Sequence, residues 1–162
     1  AALLGDAPQA ARLLKLDGQA EALLLAADTL TSALEQASGM PRLHVINLAG
    51  RQRMLSQRLA KEALLASLLP APTAALARAA AERTVEEAER ALAALQAAPL
   101  STPEIRATLE AAAAAWPSMR AGVAAAGTAA GQRQLAEASE ALLERFDQLT
   151  DQIERSMQML IG

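Results

Sequence analysis

Three short breaks constrain this chain more than any other feature. They are "SGMP" at Ser38–Pro41, "LPAPT" at Leu69–Thr73 and "PLSTPE" at Pro99–Glu104. Each places proline, which lacks a donor N–H and clashes with the preceding turn, between long runs rich in alanine, leucine, glutamate and glutamine. Long runs of helix formers cut by proline read as helices joined by short turns. The pattern predicts helices from about Asp6–Pro8 to Gln36, from near Arg42 to the Pro70 break, and from Thr73 to Ala98. A fourth follows from Pro103 to Ala126, with Ser101 or Thr102 as its N-cap and Pro117 expected to kink or split it. A fifth runs from Gln132 to Leu160. Trp116 and Phe146 are the only aromatic residues, and there is no tyrosine. β-branched residues are scattered, so a sheet finds no support. The fold class is all-α.

At 162 residues the chain is long enough for one domain with a real core. The formal net charge of -3 gives no general attraction to nucleic acid or to an anionic membrane. Cysteine is absent, which excludes disulfides, thiolate metal sites and a cysteine nucleophile. Charge-free runs such as Ala63–Ala77 are alanine-rich and broken by proline, short of the roughly 20 strongly apolar residues of a membrane span. The start at Ala1-Ala2, without methionine, fits a chain from which a signal peptide has been removed, and points to export.

The chain also repeats itself. "QAEALLLAADTLTSALEQ" (from Gln19) aligns without gaps on "ASEALLERFDQLTDQIER" (from Ala138), at an offset of 119 residues. Identities include Glu21/Glu140, Leu24/Leu143, Asp28/Asp147, Thr31/Thr150 and Glu35/Glu154. Two amphipathic helices share leucines by chance, but paired Asp and Thr at fixed spacing go beyond that. The expected architecture is an antiparallel four-helix bundle with an additional N-terminal helix. Residues 1–40 form that helix, as a half-repeat, and 41–162 form the bundle.

Arg53 is the anomaly within the second helix. On a wheel with about 100° per residue and Ile46 at zero, Arg53 lies at about 340°, beside Ile46, Ala49 and Ala60, with Ser56 at the margin. Gln57 and Gly50 follow at about 20° and 40°, whereas Leu48, Leu55 and Leu59 form a second stripe near 200°. Small residues let another helix approach closely, so the first face suits a helix contact, such as one with a second copy of the chain. A guanidinium trapped there keeps its charge and needs an anion. A planar oxyanion shared by two copies of Arg53 satisfies both forks. The alternative is a salt bridge within the chain, to Glu140 or Glu144.

The stretch "INLAGRQRMLSQR", Ile46 to Arg58, closely resembles the signature of PilJ-type sensor domains, found in type IV pilus-linked chemoreceptors and related nitrate chemoreceptors. It is also similar to the shorter motif of the nitrate/nitrite sensor histidine kinases. The resemblance implies a periplasmic four-helix ligand-binding domain that dimerises through its first bundle helix. It implies that Arg53 contacts a small oxyanion, nitrate or nitrite, from both subunits, helped by main chain near Gly50. Asn47, Ala49 and Gln57 are then further ligand-site candidates, with Asn47 bonding at the helix start or between helices. Arg51, Arg58 and Ser56 are secondary motif residues, the two arginines expected to pair with carboxylates on neighbouring helices. In tandem members of the family, a helix like the N-terminal one closes one module before the next begins.

Other chemistry finds little footing. His44 is the only histidine and cannot build a metal site alone, so none is expected. The run "ERTVEEAER" (Glu82–Arg90) reads as a solvated face with i,i+4 pairs. No serine has a histidine at usable spacing to act as its base, and no cofactor motif is present. The chain is expected to be no enzyme and to need no cofactor. Three functions remain: a homodimeric sensor of nitrate or nitrite that signals by helix rearrangement; a helical interaction module of a pilus or chemosensory system, with a signalling protein as partner and no small ligand; or a structural bundle with a relic motif, which Arg53 paired to a glutamate of its own chain would favour.

Overall fold

The computed structural model describes residues 7–39, 41–99 and 102–158. They form five helices: α1 (Ala7–Ser38), α2 (Pro41–Leu68), α3 (Thr73–Ala97), α4 (Pro103–Ala125) and α5 (Ala129–Gln158). No strand occurs among the described residues. The expected start at Asp6 and finish at Leu160 lie outside them, as does the candidate cap Ser101. The breaks fall where proline and glycine place them. Gly39 ends α1 with φ at 62°, a left-handed conformation that costs glycine nothing and reverses the chain into α2. Thr102 caps α4, its hydroxyl accepting from the Ile105 amide at 3.2 Å.

Pro117 does not split α4, which runs unbroken past it. It is exposed, and Trp116 and Met119 on either side are buried in the core, so packing holds the helix together across it. The core is built from Leu55 and Leu59 of α2, Leu92 and Leu95 of α3, Ile105, Leu109 and Ala112 of α4, and Leu135, Leu142, Phe146 and Leu149 of α5. Each large side chain buried there contributes about 1.5–3 kcal/mol. The α4–α5 turn is the tightest point. A Cβ on Gly131 would sit 1.9 Å from the Ala125 carbonyl oxygen, and one on Gly122 would sit 2.7 Å from the Leu135 Cα.

Helix α2 is the hub. Toward α3, Gln52 is fully buried and donates to the Ala88 carbonyl at 2.7 Å, and buried Glu62 accepts from Thr84 Oγ1 at 2.7 Å. Toward α5, Gln57 Nε2 donates to the Ser139 carbonyl at 3.1 Å. Helices α2 to α5 form the bundle, and α1 is the additional helix, lying antiparallel along the outside of α2. Its contacts there are largely polar: Asp17, Glu21, Asp28 and Glu35 face α2, while Leu16, Leu23, Leu30 and Leu34 are exposed.

Candidate functional site

The residues of α2 not used by the core converge on a groove of about 510 Å³ between α1 and α5. Gly50, Arg53, Met54, Gln57, Arg58 and Lys61 form its floor; Ala20, Glu21 and Leu24 form one wall, and Leu143 the other. The walls are related by the internal repeat, since Leu24 and Leu143 are equivalent positions in the two halves. Three cations thus line one open, partly apolar depression.

Every one of those cations has a carboxylate partner. Arg53 Nη2 lies 2.9 Å from Asp147 Oδ1, with the side chains 41% and 57% exposed. Arg58 bridges Glu21 at 2.9 Å and Glu62 at 3.0 Å. Lys61 holds Asp17 at 2.6 Å and Glu21 at 2.5 Å. Burial pulls the Lys61 ammonium down, but its hydrogen bonds to Asp17 and Glu21 outweigh this and leave it above its ordinary value. Glu21 therefore serves two cations at once, and Arg53 has only one exposed oxygen. Arg53 is the floor cation least committed to its own chain.

The structure brings Gly50, Arg53, Gln57 and Arg58 of the signature together. Asn47 lies apart, donating to Glu35 Oε2 at 2.5 Å. That bond, followed by the one from His44, holds the Glu35 carboxyl below its ordinary value. Ala49 is fully buried and offers no surface to a ligand. Ser56 is buried too, its hydroxyl donating to the Arg53 carbonyl at 2.9 Å. Arg51 pairs with Glu87 and, at 3.4 Å, with Asp28, beside an adjoining groove. Arg51 and Arg58 thus meet carboxylates on neighbouring helices, as expected from the sequence.

Two expectations need correction. The small-residue face of α2 is not a free seam for another copy: Ala49, Ser56 and Ala60 are buried within the chain. The two stripes read on the wheel merge into one broad buried arc centred on Gln52, and Arg53 sits at its rim. The carboxylate on Arg53 is Asp147, one turn beyond Glu144 and two beyond Glu140. Sequence reading missed Asp147 as the partner of Arg53, Glu21 and Lys61 as groove residues, and Gln52 and Glu62 as buried polar ones. A signal for the first existed in the repeat, because Asp28 and Asp147 are equivalent and each holds an arginine of the signature. Among the described residues no cluster of three or more His, Asp or Glu is placed to hold a metal ion. None of their helices is long and apolar enough to cross a membrane.

No curated protein matches the chain. Among solved structures it is similar to the ligand-binding domain of the P. aeruginosa nitrate receptor McpN, at 30% identity and a TM-score of 0.60, covering 73% of this chain and 98% of that one. The family model for the N-terminal region of type IV pili methyl-accepting chemotaxis transducers matches residues 33–142, from the end of α1 into α5. With the signature on the groove floor and the match spanning most of the bundle, the chain belongs to the PilJ family of chemoreceptor sensor domains.

Proposed function

We propose that this sensor domain binds a small oxyanion, nitrate or nitrite, at Arg53, and reports binding by helix rearrangement in a homodimer on the periplasmic side of a membrane. The observation that carries the reading is the groove in which Gly50, Arg53, Gln57 and Arg58 meet around a weakly held guanidinium. An exposed pair such as Arg53–Asp147 is worth about 0–1 kcal/mol, so an incoming anion displaces the aspartate at little cost. The freed fork then offers two parallel N–H donors to a planar oxyanion, with the Gln57 amide and the backbone at Gly50 beside it. A second copy would present its own Arg53 to the same anion. The likeness to a nitrate receptor domain supports this choice of ligand. In the same reading, residues 41–162 are the sensor and 1–40 are a half-repeat added to it.

Exchange of Asp147 for an anion also supplies the signal. The Arg53–Asp147 pair ties α2 to α5, and a ligand shifts helix positions only through unequal affinity for two arrangements. Nitrate at millimolar concentration raises the melting temperature of the wild type, and Arg53→Ala removes the rise. Identical melting curves with and without nitrate or nitrite overturn the proposal. One observation favours the second reading, an interaction module without a small ligand: Arg53 is already paired inside its own chain. That reading expects no calorimetric heat from any small oxyanion, together with loss of a signalling partner when groove residues such as Gln57 are changed.

A further inference from the structure

Three cations around one depression describe a site for a doubly charged oxyanion such as sulfate, with Arg53, Arg58 and Lys61 each donating to a different oxygen. Size does not argue against it, because a groove of about 510 Å³ far exceeds any anion of four or five heavy atoms. What stands against it is helix α1. Glu21 holds Arg58 at 2.9 Å and Lys61 at 2.5 Å, so one carboxylate engages two of the three cations. Each has a second acid behind it, Glu62 for Arg58 and Asp17 for Lys61. Of the carboxylates paired with these cations, Glu21 alone lines the groove itself.

The ion pairs are not equally firm. Arg58, Lys61 and Glu21 are 30%, 32% and 32% exposed, against 41% and 57% for Arg53 and Asp147. Water screens the second pair more strongly. An incoming anion therefore meets the weaker pair first. It displaces Asp147 and leaves Glu21 in place.

We propose that Glu21 is a specificity-determining residue of the Arg53 site, a fixed negative charge that favours singly charged oxyanions over doubly charged ones. The inference rests on the reading of Arg53 as the anion contact, and says which anions that contact takes. Two effects act together. Glu21 keeps Arg58 and Lys61 from serving as second and third ligands, which a planar monoanion on the Arg53 fork does not need. Its charge in the groove wall also repels a dianion twice as strongly as a monoanion at the same place, because Coulomb energy scales with ligand charge. Glu21 lies before residues 33–142, which the family model matches, so this filter comes with the added helix and not with the signature.

Isothermal titration of the full chain at pH 7 and constant ionic strength tests the assignment, with nitrate, perchlorate and sulfate as probes. Perchlorate has the tetrahedral shape of sulfate and the single charge of nitrate, so it separates charge from shape. The wild type should bind nitrate more tightly than sulfate. Glu21→Gln, which keeps the side chain's size, should tighten nitrate and perchlorate about twofold and sulfate about fourfold or more. A charge that changes a monoanion's affinity by one factor changes a dianion's by its square. Asp28→Asn removes another acid of α1, from Arg51 outside this groove, and should leave all three affinities unchanged.

A wild type that prefers sulfate overturns the proposal. So does a Glu21→Gln variant whose sulfate affinity rises no more than its nitrate affinity, or whose perchlorate affinity rises as far as its sulfate affinity. An equal gain for sulfate in Asp28→Asn also overturns it, by tracing the effect to a loosened α1. Those results leave the Arg53 reading standing wherever nitrate binds the wild type and not Arg53→Ala. If nitrate binds neither, the Arg53 reading falls. Sulfate binding gained by Glu21→Gln alone would then still uphold the filter, and no heat from either protein would overturn it too.

Discussion

Helices α1 and α5 are two answers to one sequence pattern. Both run antiparallel to α2, and both clamp an arginine of the signature with an equivalent aspartate. Yet α5 is fixed by a core in which Phe146 and four aliphatic residues are buried, while α1 is fixed by a ladder of polar contacts. Apolar periodicity therefore states what a helix can bury, and the neighbours decide whether it does. Around α5 the neighbour is α4, brought close by Gly122 and Gly131. The described residues place no such helix beside the leucines of α1. The two helices should accordingly differ in what holds them, with hydrophobic burial dominating in one and electrostatics in the other.

The largest contrast lies in equivalent leucines. Leu142→Ala should cost about 2–5 kcal/mol, because it leaves a cavity where the side chain is fully enclosed. Leu23→Ala, at the matching place in α1, should change stability by about 0.5 kcal/mol or less. Urea denaturation followed by circular dichroism measures both. Similar losses at the two positions would mean that α1 is covered in solution, and the comparison would dissolve.

The second contrast is the response to pH and salt. Glu35 is held below its ordinary value near 4.5 by hydrogen bonds from Asn47 and His44, and it ties α1 to the start of α2. A depressed acid stabilises above its ordinary value and stops doing so as pH falls through the folded one, so this tie begins to weaken below about pH 4.5 and is lost at still lower pH. Lys61 is held above 10.5, and a raised base stabilises below its ordinary value and loses that contribution as pH climbs past it. Both groups anchor α1. Its docking should therefore weaken at either extreme, and in about 1 M salt, where screening reaches about 3 Å. Methyl chemical shifts separate the helices: Leu24, in the α1 wall, should move while Leu142 stays fixed.

How much of this was legible in sequence differs between the two helices. Proline and glycine marked the turns, and composition made the elements helical, because those effects are local. The bundle, the added helix and the pairing of Arg51 and Arg58 with neighbouring carboxylates were all readable. The place of Arg53 was not, because a wheel assigns angles without saying where the buried arc is centred. Gln52 lies between the two stripes read from the sequence and is itself buried, which merges them and pushes Arg53 to the rim. Asp147 was visible only as the twin of Asp28, and a repeat reveals equivalence before it reveals contact.

Glycine sharpens the comparison on a smaller scale. Gly18 sits inside α1 with open space beyond it, so Gly18→Ala should stabilise that helix by about 0.5–1 kcal/mol through backbone entropy alone. The gain should appear as slower amide exchange within α1. Gly131→Ala in α5 must instead destabilise, since its Cβ would collide with the Ala125 carbonyl. Opposite signs are the expected outcome, and a destabilising Gly18→Ala would reveal a neighbour against α1.

The smallest stability effect belongs to the twin aspartates, and it says most about function. Asp28→Asn and Asp147→Asn each remove one carboxylate from a partly exposed arginine, worth about 0.5 kcal/mol or less in chemical denaturation. Their effects on anion binding should nevertheless diverge. Arg51 keeps Glu87 when Asp28 is neutralised, so nothing is released into the groove. Arg53 is paired with Asp147, and Asp147→Asn frees the guanidinium that an oxyanion would otherwise have to win by exchange. If that competition is worth about 0.5 kcal/mol, nitrate should bind roughly twofold more tightly to Asp147→Asn and unchanged to Asp28→Asn. Isothermal titration at constant ionic strength resolves such a difference. Equal affinities in the two variants would show that Asp147 does not compete for the site, and weaker binding to Asp147→Asn would make the aspartate a support for Arg53 instead of its rival.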